Sequence, residues 1–251
     1  MLLAYGATDK GRVRSINQDY WAFEPSRGLC VVADGMGGHK AGEVAARLAV
    51  DTIVKFVRED ADTDWPFGFD PSLSEVGNRL RTAVHLAHMR VLEAAVTSVE
   101  YAGMGTTIVA SVVQGDRLSV AHAGDSRLYL LSPDGLRQMT NDDSWIAAML
   151  AHAPDNEDRY AAHPMRGALT NVIGTRRRTD VHIVEETLRG GELMVLTTDG
   201  VHATLEGGRL EQLVLQGAGD VPVLAERLVA AALARGSHDN CTALVARYVR
   251  D

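Results

Sequence analysis

Leu29-Cys30-Val31-Val32-Ala33-Asp34-Gly35-Met36-Gly37-Gly38 is an apolar strand that stops on an aspartate and a run of glycines. The pattern recurs down the chain. LSVAHA runs into Gly124-Asp125-Ser126-Arg127, LMVLTT runs into Asp199-Gly200, and Asp239-Asn240 precedes CTALVARYV. Continuous apolar runs bounded by turn residues read as strands covered on both faces. Carboxylates at the ends of such strands can converge on one point. A set of aspartates with neither His nor Cys suits a hard, oxygen-seeking cation such as Mg2+ or Mn2+. Two such ions side by side suit hydrolysis of a phosphate ester.

Working outward from that stretch, strands are expected near residues 2–7, 20–24 and 28–33. Two long helices follow. One, about 41–57, spaces Val44, Leu48, Ile53 and Val57 along one face; the other, about 72–96, does so with Leu73, Val76, Leu80, Val84, Ala87, Val91 and Ala94. The polar loop DADTDWPFGFDPS separates them. TTIVASVV, RLSVAHAG and RLYLLS, punctuated by Gln114-Gly115-Asp116 and Pro133-Asp134-Gly135, read as an antiparallel meander. Residues 144–175 read as irregular, with a short helix in SWIAAMLAH and a loop in PDNEDRYAAHPM. VHIVEE and ELMVLTTDG read as strands, DVPVLAERLVAAALA as a helix capped by Asp220, and CTALVARYV as the last strand. Hairpins join most strands, which points to α+β rather than to βαβ crossovers. Two mainly antiparallel sheets flanked by helices, an α-β-β-α sandwich, would hide the apolar strands on both faces. No linker divides the chain, so residues 1–251 are expected to form one domain.

With 251 residues, 46% of them hydrophobic, the chain can bury a substantial core. A net charge of -8 argues against nucleic acid or a membrane surface as partner. Cys30 and Cys241 fall inside apolar runs and read as small buried hydrophobes. The apolar part of MLLAYGATDKG is too short for a signal peptide, and no apolar run reaches membrane-spanning length. A cytoplasmic monomer is the expectation.

Each acidic signature alone also has a bland reading. Asp34-Gly35 could be a glycine-rich turn, Gly124-Asp125 a β-turn, Asp199-Gly200 a turn or helix start, and Asp239-Asn240 a loop dipeptide. Arg14, in the polar segment between the first two strands, could hold a phosphate bidentately or be a solvated surface side chain. Their joint occurrence decides between these readings. TDKGRVRSINQD at 8–19, VVADGMGG at 31–38, GMGTT at 103–107, AHAGDSRLYLL at 121–131, LTTDG at 196–200 and HDN at 238–240 stand in one order. HPMRGALTNVIG at 163–174 joins the series. In that order they resemble the type 2C metal-dependent serine/threonine protein phosphatases, the PPM family, in a compact bacterial form.

The resemblance implies the sandwich fold with a dinuclear Mg2+ or Mn2+ centre at one edge. Asp34 resembles the carboxylate that bridges both ions, and Gly35 the residue that gives its carbonyl to one. Asp199 and Asp239 resemble the remaining ligands. Asp19 looks like a residue that binds metal through water, and Arg14 like the phosphate-binding arginine. Asp125 resembles a ligand, shared with Asp199, of a third and weaker ion. The activity implied is hydrolysis of phosphoserine and phosphothreonine on proteins by a metal-activated water, in opposition to a bacterial serine/threonine kinase. No Cys-x5-Arg loop suggests a cysteine-based route instead. A non-catalytic phosphoprotein-binding relative would be marked by loss of Asp34, Asp199 or Asp239, and all three are present. A small-molecule phosphatase stays open, because the site reads only a phosphate.

The chain also departs from the pattern. Gln18 stands where many members have Glu and supplies no charge. Met36 stands where some place a proton-donating His, with His39 as either a substitute or an exposed helix-start residue. Asp143 stands where many have His, and Gly167-Ala168 is less polar than usual. Arg176-Arg177-Arg178 reads as a solvated run or as a contact for acidic partners, and Trp21, Trp65 and Trp145 read as packing residues.

Overall fold

The structure is a computed structural model that describes residues 1–38, 40–59, 64–154, 159–160 and 163–250. In chain order the elements are β1 (Leu2–Asp9), β2 (Asp19–Glu24), β3 (Leu29–Met36), α1 (Ala41–Arg58) and α2 (Glu75–Thr97). Then come β4 (Gly105–Thr106), β5 (Ile108–Gln114), β6 (Arg117–Ala123), β7 (Arg127–Ser132), β8 (Gly135–Gln138) and α3 (Trp145–His152). The last third holds β9 (His182–Thr187), β10 (Leu193–Thr197), α4 (Asp199–His202), α5 (Arg209–Gly217), α6 (Val221–Ala234) and β11 (Cys241–Tyr248).

Two antiparallel sheets face one another. One runs β1-β11-β10-β7-β8; the other runs β2-β3-β5-β6-β9, with β4 added to β3. Side-chain alternation explains why the strands look uniformly apolar. On β3, Cys30 and Val32 enter the layer between the sheets, while Val31 and Ala33 face α1 and α2. On β10 and β11, Met194, Leu196, Leu244 and Ala246 fill the same middle layer, while Val195, Ala243 and Val245 pack against α6. The layers are therefore α, β, β, α, as expected. Ser74 and Asp220 cap α2 and α6 by accepting from the amides of Gly77 and Val223. No described helix is long and apolar enough to cross a membrane.

The meander reading needs correction. β5 and β6 are a hairpin, but β7 leaves for the other sheet and pairs with β10 and β8. Gly124-Asp125-Ser126 is thus a crossing between sheets, not a hairpin turn. The strand read through Asp199 stops at Thr197, and α4 starts on Asp199, the helix start that was one reading of Asp199-Gly200. One helix was not expected: α5 follows Gly207-Gly208, a pair that reads as turn in sequence. Part of the loop read in PDNEDRYAAHPM, residues 155–158 and 161–162, lies outside the described residues.

The sheets approach closely where β1 passes β2. A Cβ built on Gly6 would lie 2.5 Å from the Trp21 indole. Gly6→Val should force the layers apart and lower stability by about 1–3 kcal/mol, the usual scale of overpacking. Thermal denaturation should show Tm falling by roughly 2–4 °C per kcal/mol. Gly219→Ala, whose Cβ would meet open space, is the control. Equal Tm values for both variants would contradict this packing.

Candidate active site

The acidic signatures meet at one end of the sandwich because the strands that carry them end there. Asp19 opens β2 and lies opposite Asp34 of β3 in the antiparallel register. Asp199 begins the helix that follows β10, and Asp239 stands two residues before β11. Asp125 sits in the crossing from β6 to β7. One sheet thus supplies Asp19 and Asp34, the other supplies Asp199 and Asp239, and the connection between them supplies Asp125. A cavity of about 240 Å3 is lined by Arg14, Gln18, Asp34, Gly35, Met36, Thr107, Asp125, Asp199 and Asp239, with Gly167 and Leu169 on its far wall. Asp19, 7% exposed, lies behind this lining. A larger cavity of about 680 Å3 is lined by Pro25, Val113 and Tyr248 and gathers a single carboxylate, Asp116. Chemistry, not size, therefore selects the smaller one.

Close backbone approach and hydroxyl groups fix the carboxylates. A Cβ on Gly200 would collide with the Asn240 carbonyl, so only glycine lets α4 rest on the chain beside Asp239. Gly124 holds φ at +103° with its α-carbon against Thr107, where a Cβ would lie 2.7 Å from the Thr107 Cβ. The Asp34 amide donates to Thr107 Oγ1 at 3.1 Å, and its carbonyl accepts from the Thr107 amide at 2.9 Å and from Thr106 Oγ1 at 2.8 Å. Thr107 Oγ1 is in turn 2.7 Å from Ser126 Oγ, which ties Asp34 to the crossing that carries Asp125. Asp19 Oδ2 accepts from Thr198 Oγ1 at 2.8 Å and from Thr242 Oγ1 at 2.7 Å. Asn240 accepts the Gln18 amide at 2.8 Å and donates to the Lys10 and Ile16 carbonyls, which pins the loop carrying Arg14.

Crowding makes these carboxylates hard to ionise together. Burial pushes Asp34 well above the ordinary range, and Asp19, Asp199, Asp239 and Asp125 push it further. Burial lifts Asp19 to about 7 against the two threonine hydroxyls, with Asp199 and Asp239 adding to the rise. Asp125 also reaches about 7, through burial first and then Asp199 and Asp142. Asp199 is raised by burial and by Asp239. Arg14 is the nearby cation. Its Nη2 donates to Asp239 Oδ2 at 2.6 Å.

Two buried oxygens, Asp19 Oδ1 and Asp199 Oδ1, have no hydrogen-bond partner. Buried acceptors normally have one. An all-oxygen donor set with orphaned acceptors and excess negative charge fits Mg2+ or Mn2+. Among the described residues, no three His, Cys, Asp or Glu side chains are already drawn into a closed ligand set.

The structure therefore gathers Arg14, Asp34, Gly35, Asp125, Asp199 and Asp239 around one cavity, with Asp19 behind them. His39 lies outside the described residues. Asp143 is absent from the cavity lining and binds the Gly124 amide instead. Sequence reading did not single out Thr107, Ser126, Thr198, Thr242 or Asn240. The first three and Asn240 stood inside the quoted motifs, where hydroxyl and amide groups beside each Asp were the available signal.

Comparisons with known proteins bear on the family and the fold. A profile described as Protein phosphatase 2C matches residues 9–218. Serine/threonine protein phosphatase PstP of Mycobacterium tuberculosis is 31% identical over 253 residues, covering 99% of this chain and 46% of that protein. This chain thus spans about half the length of PstP. Serine/threonine phosphatase stp of Listeria innocua is 27% identical over 241 residues, covering 95% of this chain and 92% of the relative. Among solved structures, the catalytic domain of PstP in complex with two manganese ions superposes with a TM-score of 0.80 at 28% identity, covering 99% of this chain and 98% of the other.

Asp34→Asn should weaken Mn2+ binding in calorimetry and, without metal, raise Tm. The gain has a pH sign. The folded-state pKa of Asp34 exceeds its unfolded value, so ionisation penalises the fold fully above the folded pKa and not at all below the unfolded one. The variant should therefore gain more at about pH 8 than at about pH 5.5. Wild-type Mn2+ affinity with no gain in Tm would contradict the placement of Asp34 at the centre of the cluster.

Proposed function

This chain belongs to the protein phosphatase 2C family, and on that premise we propose that it hydrolyses phosphoserine and phosphothreonine esters on proteins, opposing a serine/threonine kinase. The observation that carries the reading is the convergence of Asp34, Asp199, Asp239 and Asp125 on a small polar cavity beside Arg14, with a buried carboxylate oxygen left unpartnered.

Asp34, Asp199, Asp239 and the Gly35 carbonyl would hold two core ions, with Asp19 reaching them through water. Asp125 and Asp199 would hold a third, weaker one. Bound Mn2+ or Mg2+ supplies charge neutralisation to the phosphate and lowers the pKa of a coordinated water. The chain's own residues bind and orient. The Arg14 guanidinium, whose Nη2 now donates to Asp239 Oδ2, carries the donors a phosphate oxygen pair would take. Met36 lines the cavity and cannot give a proton, so protonation of the leaving oxygen falls to water held near Asp125. Thr107 and Ser126 keep Asp34 and the Asp125 crossing in fixed relation.

Phosphate release from phosphoserine and phosphothreonine peptides should require added Mn2+ or Mg2+ and stop on chelation. Release that survives exhaustive chelation would sink the metal-centred reading. Tight phosphopeptide binding with no release under Mn2+ would show a binding relative instead. Arg14→Ala should raise KM more than it lowers kcat, because a phosphate clamp holds ground and transition states alike. Unchanged kinetics would mark Arg14 as a surface residue.

A further inference from the structure

Asp143 is a carboxylate outside the cavity that ties distant segments together. Its side chain is 15% exposed, and its two oxygens collect three donors from three separate segments. Oδ2 accepts from the Gly124 amide at 3.0 Å and from Asn171 Nδ2 at 2.7 Å. Oδ1 lies 3.1 Å from His182 Nε2. A carboxylate can only accept, so that nitrogen carries the proton. The main chain adds two more ties. The Asp143 amide donates to the Gly124 carbonyl at 3.0 Å, and the Thr170 amide donates to the Asp143 carbonyl at 2.8 Å.

Each partner leads toward the cleft or to a rigid anchor. Gly124 immediately precedes Asp125 and packs its α-carbon against Thr107 at a φ of +103°, a fit that only glycine makes readily. Ser144 bridges Leu169, and the Trp145 amide donates to the Ala168 carbonyl at 2.8 Å. Residues 143–145 thus run beside 168–170, and Gly167 and Leu169 of that stretch wall the cavity. Asn171 is itself held, since its Oδ1 accepts from Thr179 Oγ1 at 2.8 Å. His182 opens β9 in register with His122 of β6, and the two rings lie 4.9 Å apart at 30°. His122 is 2% exposed, so the pair is anchored in the sheet.

We propose that Asp143 is a positioning residue that fastens the wall of the cleft at residues 167–171 to the turn carrying Asp125, with His182 as the fixed post. A carboxylate accepting several hydrogen bonds makes stronger ties than a neutral acceptor. Truncating it would loosen the Gly124 peptide and the wall together and shift Asp125. The proposal rests on the phosphatase reading of the site.

The test uses the whole chain loaded with Mn2+. Asp143→Ala should lower kcat on a phosphoserine peptide by about 10- to 100-fold, the scale of an ångström-level misplacement, while KM moves by less than about threefold. If Asp143 acts through Asp125, the Asp125→Ala, Asp143→Ala double variant should be no slower than Asp125→Ala alone. Losses that multiply would overturn the proposal, because independent damage adds in free energy. A second readout needs no activity. In hydrogen exchange the Gly124 amide should open faster in Asp143→Ala than in wild type, with the β5 amides unchanged. An unchanged Gly124 amide would also overturn it. Should Asp143→Ala fail to fold, Asp143→Asn keeps an oxygen for one donor, faces another with its own NH2, and carries the same comparisons. Wild-type protein that releases no phosphate would sink the functional reading alone, and the exchange measurement would still judge the placement.

Discussion

Repulsion among buried carboxylates is the constraint around which this molecule is arranged. Asp34, Asp19, Asp199 and Asp125 are each pushed up first by burial and then by neighbouring carboxylates, Asp239 and Asp142 among them. Left alone, such a cluster would turn its side chains to water or pull in protons. The fold prevents the first by placing the carboxylates where strand register and hydroxyl clamps leave little freedom. Asp19 opposes Asp34 across a hydrogen-bonded strand pair, and Thr198 and Thr242 both give their protons to one Asp19 oxygen. The second is what a divalent cation replaces. Held repulsion of this kind is what a divalent cation would relieve, and its cost is distributed over the ends of two sheets.

That distribution explains why two sheets are needed. A single sheet end offers carboxylates in one plane, spaced by the distance between strands. Here the second sheet faces the first across an apolar layer of Val32, Val109, Met194 and Leu196. The layer sets how far Asp34 stands from Asp199. The crossing from β6 to β7 then adds Asp125 from the side, held to β5 through Thr107 and Ser126. Packing in the middle of the sandwich and chemistry at its edge are thus one problem. A core substitution that altered the spacing of the sheets would reach the cavity without touching it.

Much of this was legible in the sequence, and the parts that were not share a cause. Apolar runs closed by Asp and Gly announced the strands and the carboxylates, because burial on both faces and an acidic end leave a local trace. The short alternation in RLYLLS told that β7 was a strand but not which sheet it joined. Partner choice depends on residues 193–197, far along the chain, and adjacent strands linked by a short turn look like a hairpin. The departures came through differently. Asp143 was visible as an unusual residue, yet its ties to Gly124 and His182 exist only once three distant segments meet. The clamps at Thr198 and Thr242 were hidden for a related reason. A threonine inside a strand reads as ordinary β propensity until its hydroxyl is seen to face a carboxylate.

Arg14 shows how the cluster's charge connects metal to substrate. The carboxylates draw on its guanidinium: Asp239 by direct contact, Asp34 and Asp199 through space. Its side chain is half exposed and belongs to a loop, so it can follow whichever anion attracts it more. While Asp239 is ionised and unshared, that anion is Asp239, at 2.6 Å. A phosphate would have to displace it against the field of two further carboxylates, Asp34 and Asp199. On the proposed reading, cations held by Asp34, Asp199 and Asp239 would remove that field and its competing acceptor together. The Arg14 donors would then face a phosphate in a cavity whose sign had changed. On that same reading, a cation that took over Asp239 would release the one Arg14 nitrogen now engaged there and add it to the guanidinium donors already free to meet a phosphate.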